Sequence, residues 1–350
     1  MNSTIKKPLG SLVGILCVTT AMGQTNVWRV DPIAGHPRDF ATITDALNSS
    51  TVKDGDTVLV TGDFSTTDVT LQRRLHLVGF GYYLAENGIS YPPGTLAPAT
   101  IRSLLVRSAA AGSPTNGSGS SITGFTLTTD ATFNDVSRVV FRRNNVRKVV
   151  IAGANGQAAS GISVIQNYIR ALGTDDSYGA IRSETWDNYD ILIANNFIGR
   201  EPAGSFTMSA NDVFLIRNNI IRAGGWIHNG LFADNAVYGQ TTMYWNKMVV
   251  QNNIAIGGNF LPAGSSNINN QVESNVFVLG TSPDGKYQLA AGSLAIGAAS
   301  DGGDMGMYGG TYPYVLSGLP PVPVITLLSI PNTVPDGEDL QVQIRAEVHP

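Results

Sequence analysis

The phrase Ile165-Gln166-Asn167-Tyr168-Ile169 returns as Ile193-Ala194-Asn195-Asn196-Phe197-Ile198 and as Ile216-Arg217-Asn218-Asn219-Ile220-Ile221. Variants of it are Arg143-Asn144-Asn145-Val146, Val250-Gln251-Asn252-Asn253-Ile254 and Val272-Glu273-Ser274-Asn275-Val276-Phe277-Val278. Aligned on the last Asn, these place asparagines at 145, 167, 196, 219, 253 and 275, in steps of 22, 29, 23, 34 and 22 residues. Ile122-Thr123-Gly124-Phe125 lies 21 residues before the first of them. A period of this size marks a solenoid, in which one repeat cannot bury its apolar face alone and must stack on its neighbours. Leu is not periodic, which argues against a leucine-rich repeat, and the β-branched residues beside the Asn favour strands. The reading is an all-β protein built as a parallel β-helix. Each coil carries three short strands, and coils stack at the inter-strand spacing of about 4.8 Å. The longer steps of 29 and 34 read as coils with a loop pushed outward.

A coil must turn sharply between strands. Asn tolerates the left-handed backbone better than most other residues. Stacked at equivalent positions, its amides can also bond along the stack. The recurring Asn is therefore read as structural, and the flanking Val, Ile and Phe as core. At the N-terminal end, Phe40, Ile43 and Leu47 share one face of a short capping helix. At the other end, Pro313, Pro320, Pro321 and Pro323 form a linker. A hairpin follows, with strands Val324–Ile330 and Leu340–Val348 around the turn Pro335-Asp336-Gly337. Its residues Leu340, Val342, Ile344, Ala346 and Val348 alternate with polar ones, so one face should be buried.

The composition fits this picture. The chain has 350 residues, 43% hydrophobic and 14% charged, with 39 Gly, a formal charge of −4 and one Cys. About 27 of the residues are Asn. Low charge with ample apolar residues excludes a disordered chain, and one Cys excludes a disulfide scaffold. Gly and Asn throughout argue against a helical bundle. A negative chain offers no footprint for nucleic acid. Residues 1–23 read as an export signal: Lys6 and Lys7, then a short apolar run from Leu9 to Ala21, then Ala21-Met22-Gly23 before Gln24. Cys17 leaves with it, which suits an oxidising compartment. The expected organisation is a signal peptide over 1–23, a β-helix over 24–310, and a linker with hairpin over 311–350. The expected location is secreted or cell-surface, with no transmembrane segment in the mature chain.

Thr42-Ile43-Thr44-Asp45-Ala46-Leu47 with Asp54-Gly55-Asp56-Thr57-Val58 resembles the entry to right-handed parallel β-helix proteins of the pectate-lyase-like superfamily. Gly292-Ser293-Leu294-Ala295-Ile296-Gly297 followed by Asp304-Met305-Gly306-Met307-Tyr308-Gly309-Gly310 resembles the exit motif of many secreted bacterial members. That motif usually reads Ser-Pro-Ala-Ile, and Leu294 stands in place of the Pro. The resemblance covers roughly residues 28 to 310 and implies a right-handed parallel β-helix. The superfamily holds polysaccharide lyases, glycoside hydrolases, epimerases, adhesins and members without known activity, so fold alone does not set function.

Two catalytic patterns occur on folds of this kind. A glycoside hydrolase needs paired carboxylates with room for water. Asp175-Asp176 is the candidate pair, but the Gly-His-Gly and Arg-Ile-Lys phrases that accompany Gly-Asp-Asp in polygalacturonase-like enzymes are absent. A polysaccharide lyase acting on an acidic polysaccharide needs a basic residue and a cation, typically calcium held by carboxylates. Asp187, Asp190 and Asp212 with Arg217 are its candidates, with Glu184, Arg182 and Arg200 nearby. Asp234, Asp301 and Asp304 lie in turns without a regular calcium-loop phrase. His228, in a Gly-rich turn, reads as a loop residue. No cofactor is expected, and calcium is the one ion considered. The aromatic residues Trp186, Tyr189, Trp226, Tyr244 and Trp245, with Tyr178 and Tyr238, gather in one region and are candidates for stacking on sugar rings. Neither catalytic pattern is complete. The favoured function is therefore a non-catalytic β-helix that binds a glycan or serves as a structural or adhesive surface module. The alternative is a polysaccharide lyase or glycoside hydrolase.

Overall fold

A computed structural model describes residues 25–91, 96–109, 116–153, 158–171, 179–184, 187–199, 205–239, 243–329 and 339–348. The chain winds into a parallel β-helix whose strands fall on three faces. Face A runs from Val27–Val30 through Thr57–Val60, His76–Val78, Ser121–Thr123, Val140–Arg142, Ser163–Ile165 and Ile191–Ala194 to Phe214–Arg217, every pairing parallel. Face B includes Phe125–Leu127, Asn145–Val146, Tyr168–Ile169, Phe197–Ile198, Ile220–Ile221, Ala236–Tyr238 and Ile254–Ile256. Face C includes Asp130–Asn134, Lys148–Ala152, Ile181–Glu184 and Phe206–Thr207. In the last coils, Gly225–Ala233 and Met243–Gln251 each run without a break from face C into face A. The interior is filled by apolar residues turned inward from the strands, among them Ile122, Phe141, Val164, Ile193, Ile216 and Phe232, all fully buried. Each such burial contributes roughly 1.5–3 kcal/mol.

The corner between faces A and B carries the recurring Asn, and two adjacent residues divide the work expected of one. The first residue of each corner takes the left-handed backbone: Arg143, Gln166, Asn195, Asn218, Asp234 and Asn252 have φ of 56°, 59°, 57°, 53°, 63° and 51°. The second is the buried ladder Asn: 144, 167, 196, 219, 235 and 253. Asn219 shows the pattern. Its Oδ1 accepts from the backbone N–H of Asn196 at 2.9 Å and from Asn196 Nδ2 at 3.0 Å. Its Nδ2 donates to Ile193 O at 2.9 Å and to Asn235 Oδ1 at 3.0 Å. The column ends on Asn267, which accepts from Asn253 Nδ2 at 3.1 Å.

This ladder corrects the repeat register. Its steps are 23, 29, 23, 16, 18 and 14 residues. The first coil uses Asn144 rather than Asn145. The 34-residue step is two short coils rather than one long one, because Asn235 divides it. Asn275 is exposed, in the short helix Glu273–Val276, and takes no part.

The helix Ile43–Asn48 forms as expected. The Thr42 hydroxyl caps it by accepting from Asp45 N–H at 3.1 Å, a bond that satisfies one of the free donors of its first turn. Ile43 and Ala46 are its buried residues. Phe40 precedes the helix, bridged to Val30 and packed on Trp28. Arg73 donates to Leu47 O at 2.7 Å and Val52 O at 2.6 Å, closing the helix C-terminus with a cation.

After the last strand, Ile268–Gln271, residues 272–323 fold back along the outside of face B. The left-handed corner residues hold this strap. Asn252 donates to Ala298 O, Asn218 to Asp304 O, Asn195 to Met307 O and Gly309 O, Gln166 to Pro313 O, and Arg143 to Leu319 O. Asp234 accepts from Ser300 N–H and Oγ at 2.6 and 2.8 Å. Beneath the strap lies a second core, in which Tyr168, Phe197, Ile220 and Tyr238 meet Phe277, Tyr287, Met307 and Tyr314. Tyr168 and Phe197 stack at 4.4 Å, and Phe197 and Tyr287 at 4.9 Å.

Beyond the strap, Val324–Ser329 and Gln343–Glu347 pair antiparallel as the expected hairpin, whose turn at 335–337 lies outside the described residues. The expected burial of one face is not found. Leu340, Val342, Ile344 and Val348 are exposed.

Asn219→Ala should destabilise the protein by about 1–3 kcal/mol for each buried group it orphans, whereas Asn275→Ala should leave stability unchanged. Chemical denaturation of both variants measures the contrast, and equal effects would contradict the ladder.

Candidate functional site

With face B covered, the outer sides of faces A and C are the surfaces left to solvent. On face C, Thr207, Trp226 and Tyr244 lie side by side in register on three successive coils. Alternation sets their direction. Ile227 turns inward and is fully buried, so its neighbours Trp226 and His228 turn out. Gly225 permits the approach of this strand to the coil below, since a Cβ there would fall 2.4 Å from Phe206 O. Trp226 and Tyr244 are stacked, with ring centroids 4.2 Å apart and an interplanar angle of 14°, and are 53% and 48% exposed. Beside them Asn246 Nδ2 donates to His228 Nδ1 at 3.0 Å. One coil below Thr207, Arg182 lies in register and forms an ion pair with Glu184. The result is a flat strip with an exposed aromatic plane, an amide and imidazole pair, and one compensated ion pair.

The other aromatic candidates separate from this strip. Trp245, in register with Ile227, turns inward and packs edge-on against Phe232 at 4.9 Å. Tyr238 is buried beneath the strap, with Arg222 4.0 Å above its ring and its hydroxyl donating to Glu273 at 2.6 Å. Tyr189 is exposed but sits at the corner between faces C and A, bridged to Ser160. Trp186 and Tyr178 lie outside the described residues.

Among the described residues, the candidate carboxylates do not gather at one place. Asp175 and Asp176 lie outside the described residues, as does Arg200. Asp187 accepts from Asn211 Nδ2 at 2.9 Å on the surface. Asp190 is a left-handed turn residue, φ 56°, like Arg138 and Gly161 (φ 57° and 61°) on earlier coils. Asp212 is fully buried, with Oδ1 accepting from Asn188 N–H at 2.7 Å and Oδ2 without a partner. Burial raises its pKa above the ordinary carboxylate value. Arg217 lies at the far end of the strand Phe214–Arg217, roughly 10 Å or more away at the rise of an extended chain. It pairs instead with the buried Asp234 at 3.1 Å and with Asp301 at 3.7 Å, beneath the strap. Asp304 accepts from Gly297 N–H at 2.9 Å. Among the described residues no three His, Cys, Asp or Glu side chains are grouped to hold a metal ion. No helix among them is long and apolar enough to cross a membrane.

No protein-family model matches the chain, and no curated protein matches it.

The sign of the Asp212 effect follows from burial of the charge. With its folded pKa raised above the unfolded value of 3.8, the native state is favoured most below that pH and loses stability as pH rises through the folded pKa. Asp212→Asn should therefore raise Tm at pH 7, with the gain vanishing in acid. Melting curves across pH test this, and a gain that persisted unchanged below pH 3.8 would refute the assignment to ionisation.

Proposed function

We propose that this protein is a secreted or cell-surface β-helix of the pectate-lyase-like kind that binds a glycan without cleaving it, on the outer strip of face C. The observation that carries this reading is the exposed, stacked Trp226–Tyr244 pair on a flat and rigid sheet. An aromatic plane of this kind offers a sugar ring its apolar face, while Asn246 and His228 offer hydrogen bonds at the edge. The coils hold these groups at fixed spacing, so little ordering is needed on binding. The export signal read at residues 1–23 and the entry and exit motifs support the location and the superfamily. The lyase alternative loses its support because Asp190 is a turn residue, Asp212 is buried, and Arg217 is engaged under the strap.

The test is affinity electrophoresis and tryptophan fluorescence against a panel of neutral and anionic polysaccharides, with and without calcium. Trp226→Ala and Tyr244→Ala should each weaken binding roughly tenfold, or about 1.4 kcal/mol, while Tyr189→Ala leaves it unchanged. Release of unsaturated uronate ends would instead establish a lyase. Failure to retard on every polysaccharide would remove glycan binding and leave a structural role.

A further inference from the structure

Two exposed apolar surfaces adjoin each other. The first is the hairpin. Leu340, Val342, Ile344 and Val348 are 53%, 44%, 63% and 57% exposed. An isolated two-stranded hairpin is marginal in water and needs a surface to pack on. The second is a groove of about 680 Å³ at the N-terminal end of face A. Its floor is the outer side of the first two strands, with Val27 and Leu59, and its walls include Pro37, Leu96, Val322 and Pro323. Val27 is 59% exposed within it. The groove is mostly apolar, and the hairpin strand Val324–Ser329 starts at its rim, directly after Pro323.

We propose that a second copy of this chain fills the groove, each copy seating the apolar face of its hairpin in the groove of the other. Three observations select this occupant. The hairpin needs an apolar cover, and its own solenoid does not supply one. The groove offers apolar side chains, with a few polar groups, Arg29 and the hydrogen-bonded pair His36–Asp31, at 2.9 Å, beside them. Finally, root and groove are neighbours on one molecule, so a two-fold axis beside them makes both contacts at once and closes the assembly as a dimer.

Sedimentation velocity of the full chain over a wide concentration range tests the proposal. The expected result is a concentration-dependent doubling of mass. The variants Leu59→Asp, in the groove, and Val342→Asp/Ile344→Asp, in the hairpin, should each weaken the dimer by roughly tenfold or more. Mixing the two variants should restore a two-chain species, because one intact hairpin then meets one intact groove. Circular dichroism confirms that each variant is folded. As a second measurement, Val27→Cys and Ile344→Cys chains, each carrying Cys17→Ser, should form a mixed disulfide that neither forms alone. A wild-type chain that stays monomeric throughout overturns the proposal. So does a hairpin variant that lowers Tm of a monomer independently of concentration, since the hairpin would then cover its own groove. Absence of the mixed disulfide from otherwise folded chains overturns it as well.

Discussion

A buried amide that must find partners on both sides governs this molecule. Each ladder Asn is withdrawn from water at the corner of faces A and B, where an unmet donor or acceptor would cost more than a typical bond returns. Its partners are the ladder Asn residues of the coils before and after it, with carbonyls of its own and the previous coil. Satisfying them fixes the spacing of the coils and their rotation together. An apolar residue at the corner would permit coils to slide. The amide does not, because Oδ1 is bonded to the Asn of the coil before and Nδ2 to the Asn of the coil after. The column from Asn144 to Asn267 is a register device as well as a source of stability.

The residue before each ladder Asn turns that constraint outward. To bring the amide inside, the chain takes a left-handed step, and the side chain at that step points out over face B. Evolution of a stack could leave these positions to water. Here Arg143, Gln166, Asn195, Asn218, Asp234 and Asn252 are used as a row of hooks for the strap. The same strap buries the aromatic outer side of face B. One corner geometry thus specifies both the inner ladder and the outer clasp, and it removes one of the three faces from any binding role.

The fold was legible because the phrase around the Asn is local: a β-branched run, a corner and another run. Asn235 escaped because its flanks are Ala233 and Ala236 rather than Ile or Val, and because its coil is short. Asn275 resembles the ladder residues because Val276, Phe277 and Val278 mimic their flanks, although Asn275 itself sits in the helix Glu273–Val276. The hairpin strands were legible from their alternation, but alternation says which residues share a face and not whether anything covers it. In the candidate site the aromatic residues were visible as a group. Their sorting was not, since it depends on the 18-residue spacing between Trp226 and Tyr244, which the misread long coil had concealed. Once the spacing is known, parity puts Tyr244 out and Trp245 in.

The short coils also account for where the aromatic strip lies. A coil of 23 or 29 residues has chain to spare for bends at all three corners. A coil of 16 or 18 has less. These two coils respond by merging faces C and A into continuous nine-residue strands, Gly225–Ala233 and Met243–Gln251, with left-handed residues Asn229 and Lys247 marking the residual bend. Strands merged in this way carry no loop at that corner to fold over the sheet. Large aromatic side chains that would elsewhere be shielded are left facing water, stacked only on each other. Shortening the coil removes cover, and the same economy of chain that tightens the Asn ladder opens the surface on which a ligand can lie.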